Sequence, residues 1–130
     1  MNKFKMIIRI SLFIPIAMFL VFWIGSIIYS EILTSRYGHI FRIIIESDSW
    51  HGGHGDLGNV RVLSYTGTFA RVYYTWVNPP YGIANLEAGV VLGGATLEFE
   101  KKHGEWHITR NETIWSRTGN ADGFVWPYIR

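Results

Sequence analysis

His51-Gly-Gly-His54-Gly-Asp56 is the segment of this chain whose residue types could do chemistry. Two imidazoles three residues apart, with a carboxylate two further on, offer the ligand types that hold Zn²⁺ or another transition ion. The intervening glycines let the backbone fold back so that near neighbours point inward. Asp48 could add a fourth oxygen, and Trp50 stands beside His51 as an aromatic contact for a ligand. Trp50, His51, His54 and Asp56 are thus the candidate binding residues, and His51, His54 and Asp56 the candidate ligands of a divalent metal. Two other readings fit the same residues. One is a glycine turn in which His and Asp cap backbone groups. The other is an anion-binding nest of backbone amides.

Elsewhere the chemical inventory is thin. Cysteine is absent, so disulfides, thiolate metal sites and cysteine nucleophiles are excluded. Glu98 and Glu100 share a strand face, the arrangement of solvated charge more often than of a glycosidase pair. His103 and His107 flank a turn. Asn111-Glu-Thr113 fits a glycosylation sequon, and Asp122-Gly123 is a turn former. No phosphate loop, Gly-x-Ser-x-Gly or His-Glu-x-x-His is present. The sequence points to no catalytic residue and to no organic cofactor. Trp50, Trp76, Trp106, Trp115 and Trp126 could stack on sugars, though a small sheet domain also needs such side chains to fill its core.

What must position these residues is set by the amino-terminal segment. Ile10 to Tyr29 carries no charge, and as a helix it spans about 30 Å, the hydrocarbon thickness of a bilayer. The reading is a basic flank over 1–9, a transmembrane anchor over 10–30 and a domain over 31–130. Lys3, Lys5 and Arg9 precede the span and only Arg36 follows closely, which orients the amino terminus to the cytoplasm and the domain outside. A cleaved signal peptide is the competing reading, but the apolar core is long and no Ala-x-Ala follows it. Three of the 12 basic residues precede the span and all 10 acidic residues follow it, so the domain has no basic excess and no nucleic-acid partner is expected.

Glu31 to Gly38 reads as a short continuation of the helix, broken at Gly38. His39 to Glu46 is rich in β-branched residues and reads as a strand, with a helix continuing from the membrane as the alternative. Val60–Tyr65 and Thr68–Val77 are further strands, with Ala70, Val72, Tyr74 and Trp76 sharing the core face. Asn78-Pro-Pro-Tyr-Gly82 is a turn. Residues 83–94 are ambiguous between helix and strand. Ala95–Lys102 and Glu105–Arg110 alternate around His103-Gly104 as a hairpin, with Leu97, Phe99, Trp106 and Ile108 facing in and 113–116 extending the sheet. The fold class is one transmembrane helix followed by a small α+β domain, mainly an antiparallel sheet of about five strands.

Asp48-Ser-Trp-His-Gly-Gly-His-Gly-Asp-Leu-Gly58 resembles the Asp-(Ser/Thr)-His-Gly-Gly-x-x-Gly-Asp-Gly run of small membrane-anchored proteins of Gram-positive bacteria, in which a membrane helix also precedes the motif. Trp50 and Leu57 depart from that run. The resemblance implies the anchored layout and no activity. The Lys102-x-Gly104-x-Trp106 centre is similar to the last hairpin of many small cystatin-like domains. Together these readings describe a single-pass membrane protein with an extracytoplasmic domain that binds a protein or cell-wall partner without catalysis. The alternatives are a metal-binding protein or metal-dependent enzyme and an envelope-carbohydrate binder.

Overall fold

The computed structural model describes residues 2–47, 55–79, 87–117 and 122–128. A single helix, α1 (Asn2–Ser47), runs 46 residues without a break, through Pro15 and through Gly38. At 1.5 Å per residue, it is about 69 Å long, more than twice the thickness of a bilayer core. Its two halves have different surroundings. Up to Tyr29 no described residue is buried and most of its large apolar side chains are exposed, Trp23 and Ile27 being half-buried. From Ser30 on, one face is buried: Ser30, Leu33, Gly38, Phe41 and Ile45 recur at helical spacing.

The stretch His39–Glu46 is therefore helix and not strand, and the break expected at Gly38 does not occur. Four-residue periodicity decides it. Phe41 and Ile45 enter the core while Ile43 remains 64% exposed, a pattern that period-2 alternation would not give. Arg42 and Glu46, four apart on the outer face, are paired at 3.1 Å.

Four strands follow: β1 (Asp56–Tyr65), β2 (Phe69–Val77), β3 (Val91–Lys102) and β4 (Glu105–Ser116). They form an antiparallel sheet in the order β1-β2-β3-β4, one strand fewer than the sequence suggests among the described residues. The β3–β4 hairpin turns at His103-Gly104, where φ is +53° and +78°, the left-handed pair that a two-residue turn needs to match strand twist. Residues 91–94, left ambiguous by sequence, belong to β3.

One sheet face packs on α1. Val60, Val62, Ala70, Val72, Tyr74, Ala95, Leu97 and Phe99 meet Leu33, Phe41 and Ile45, with Trp76, Trp106 and Ile108 at the margin. Phe41 is the centre, its ring 4.8 Å from Phe99 and 5.2 Å from Trp106. Burial of a side chain of that size contributes roughly 1.5–3 kcal/mol. Next to this core β3 carries Gly93 and Gly94. The Trp76 indole lies against Gly93, and the Tyr73 and Trp115 side chains lie against Gly94, so a methyl group at either position would overlap an aromatic ring. The two glycines give up side chains so that large rings can cross the strand.

Candidate functional site

Of the residues singled out in the histidine loop, Asp48, Trp50, His51 and His54 lie outside the described residues. Asp56 opens β1, exposed and opposite Val77. Gly55 just before it packs so tightly that an added Cβ would overlap the Val77 carbonyl, so this end of the loop is pinned to β2. Among the described residues no three His, Cys, Asp or Glu side chains come together as a metal site would require. Glu98 faces Arg71 and Arg110 across the strands, and His103 and His107 are exposed.

The structure instead builds a polar cluster where the apolar part of α1 meets the sheet. Ser30 Oγ donates to the Val62 carbonyl at 2.8 Å, and Thr34 Oγ1 accepts the Val62 amide proton at 2.9 Å. One turn of helix thus satisfies both backbone groups of a residue on an edge strand, which blunts that edge against further pairing. Thr34 donates its own proton to the Ser30 carbonyl at 2.8 Å, within the helix.

The carboxyl-terminal tail closes the cluster. The Tyr128 hydroxyl lies 2.9 Å from Ser30 Oγ and 3.1 Å from Glu31 Oε1. Because the Ser30 proton is committed to Val62, the single phenolic proton is shared between those two acceptors. Glu31 is also paired with Arg61 at 2.7 Å, and the Arg61 guanidinium sits 5.7 Å from the Tyr128 ring centroid. Tyr73 stacks with Tyr128, ring centroids 6.4 Å apart, and accepts a hydrogen bond from Trp115 Nε1 at 2.8 Å. Burial raises the Tyr128 phenol above its ordinary range, so it stays neutral at physiological pH and acts as a donor. The Ser30 and Thr34 hydroxyls, bonded to backbone groups, and the Glu31 carboxylate, paired with Arg61, hold α1, β1 and the tail together.

Just before Tyr128, Trp126 and Pro127 lie along the apolar half of α1. Trp23 Nε1 donates to the Pro127 carbonyl at 2.8 Å. The Trp126 ring stacks on Phe22 at 5.7 Å and meets Phe19 edge-on at 5.8 Å. Val125 and Pro127 are buried, whereas Phe124 is 61% and Trp126 36% exposed.

The sheet face opposite the core presents Arg71, Glu98, Arg110 and Glu112, with Arg110 and Glu112 paired at 3.2 Å. The Arg71 Nε is buried with no hydrogen-bond partner among the described residues. Trp76 and Trp106 are drawn to the core margin and Trp115 is bonded to Tyr73, so Trp126 is the most exposed of the described domain indoles. No protein-family model, curated protein or solved structure matches the chain.

The sequence reading missed the Ser30–Glu31–Arg61–Tyr128 cluster. A signal for half of it was present. Ser26, Ser30, Thr34 and Gly38 fall four apart, a stripe of small residues that lets another backbone approach a helix closely. The partners of that stripe come from 28 to 98 residues away, and no local pattern encodes them.

Proposed function

We propose that this chain is a single-pass membrane protein whose sheet domain is carried outside the cytoplasm and binds a protein or envelope partner without catalysing a reaction. The continuity of α1 carries the reading. One helix is apolar and unburied over a length sufficient to cross a bilayer, and the same helix then supplies a wall of the domain core. A domain built this way is held rigidly against the membrane instead of hanging on a linker. Lys3, Lys5 and Arg9 at the amino-terminal end favour the cytoplasm for that end.

The open sheet face supports binding over catalysis. It offers alternating guanidinium and carboxylate groups from Arg71, Glu98, Arg110 and Glu112. Such a face suits a partner surface with complementary charge. Photocrosslinkers placed at Arg110 and Glu112, both exposed on that face, in intact cells should give a discrete adduct that Arg71→Glu removes, while the same group at exposed Glu105 gives none. A turnover reaction of the purified protein abolished by His51→Ala would overturn the non-catalytic reading. Labelling of a cysteine at Asn2, but not at Glu105, by an impermeant maleimide would overturn the orientation.

A further inference from the structure

The contact between the tail and α1 fixes a depth. Counting down the helix from Ser30, Phe22 lies about 12 Å and Phe19 about 16 Å below it. The charge-free stretch ends at Ser30, so if α1 spans the bilayer, the Trp126 ring is level with the middle of the apolar segment and not with its rim. Raising the helix until Trp126 met water would leave Ile24, Ile28 and Tyr29, all more than half exposed, in water as well.

We propose that Phe124-Val125-Trp126-Pro127 is a second membrane-inserted element, a turn immersed among the lipid acyl chains of the outer leaflet beside the helix. The turn suits that environment. It contains no charged residue and two exposed aromatic rings, continuous with the exposed Phe19, Phe22 and Ile24 surface. Non-helical backbone enters lipid only when its polar groups are satisfied. Here Pro127 lacks an amide proton and its carbonyl accepts from Trp23, Gly123 N donates to the Ile114 carbonyl, and Val125 bridges to Tyr128. Tyr128, with its phenol on Ser30 and Glu31, then marks the polar boundary above the turn.

The proposal rests on α1 crossing the membrane, and the test separates the two. The chain has no cysteine, so single cysteines can be placed at Phe124, Ile16 and Glu105 in the full-length protein, spin-labelled, and reconstituted in phosphatidylcholine/phosphatidylglycerol vesicles. Each label's collision rate with oxygen and with a water-soluble nickel chelate reports its depth. The expected result is an oxygen-to-nickel ratio several-fold higher at 124 and 16 than at 105. A label at 124 that follows 105 while 16 remains oxygen-rich overturns the inserted turn and leaves the anchor standing. A nickel-accessible label at 16 overturns both. A second readout needs no label: brominated acyl chains should quench the wild-type tryptophan emission more than that of Trp126→Phe, and equal fractional quenching overturns the proposal.

Discussion

Thr34 Oγ1 accepts the amide proton of Val62 at 2.9 Å, so a helix side chain stands where a fifth strand would otherwise pair with β1. Ser30 does the same for the Val62 carbonyl. Thr34→Val keeps the shape and leaves a part-buried amide without an acceptor, which costs about 1–3 kcal/mol. Ser30→Ala removes a carbonyl partner and the acceptor of Tyr128 at once. The two substitutions should be non-additive, since both act on one residue. Urea unfolding of the four proteins of the double-mutant cycle measures this, and fully additive losses would mean that the two hydroxyls act independently.

Gly93 and Gly94 should be the least substitutable residues of β3. Alanine at 94 pushes the Tyr73 and Trp115 rings apart, and alanine at 93 displaces Trp76. Overpacking of this kind typically costs about 1–3 kcal/mol. Gly94→Ala should also raise the emission intensity change of Trp115 on unfolding, because its indole hydrogen bond to Tyr73 is lost. Thermal melts monitored by fluorescence check both. An unchanged midpoint in Gly94→Ala would show that Trp115 does not lie on the strand.

At the hairpin turn, His103 holds a left-handed conformation that costs a β-substituted residue energy and that asparagine tolerates better. Asn-Gly is the favoured pair for this turn. His103→Asn should therefore stabilise the domain by a few tenths of a kcal/mol to about 1 kcal/mol. Gly104→Ala, at φ +78°, should destabilise it by a similar or larger amount. Chemical denaturation midpoints of the two variants should move in opposite directions.

Stability should hold up to about pH 10 and fall above it. Burial raises the phenols of Tyr74 and Tyr128, so the folded state retains protons that the unfolded chain releases once pH passes the ordinary tyrosine value. Where the folded state binds more protons, stability falls as pH rises. Tyr74→Phe and Tyr128→Phe should each flatten part of the alkaline decline in melting temperature. A decline of the same slope in the double variant would assign it to other groups.

These contacts show what could be read from the chain and what could not. The β2 and β3–β4 patterns were legible because alternation and turn chemistry agree: Ala70, Val72, Tyr74, Leu97 and Phe99 face the core as spaced. The run Phe41-Arg-Ile-Ile-Ile45 misled because β-branched residues favour strands only when a strand partner is available. Here the run continues α1, and burial of Phe41 and Ile45 one turn apart outweighs a propensity difference of a few tenths of a kcal/mol per residue. The Tyr128 cluster joins residues 97 positions apart, beyond any local signal.

Helix continuity yields the last prediction. Two alanines inserted between Ile27 and Ile28 rotate the apolar half of α1 by about 200° relative to the sheet. Ser30 and Thr34 keep their bonds to Val62, whereas Phe19, Phe22 and Trp23 swing away from the tail. Amides of Val125, Trp126 and Tyr128 should then exchange hydrogen faster, while core amides such as Val72 and Leu97 keep their protection. Insertion of four alanines returns the face to within about 40° of its starting direction and should restore part of the protection, since only the 6 Å axial shift remains. If neither insertion alters exchange in the tail, the tail is held by Tyr128 and the sheet alone, and the aromatic contacts with Phe19 and Phe22 add nothing to its order.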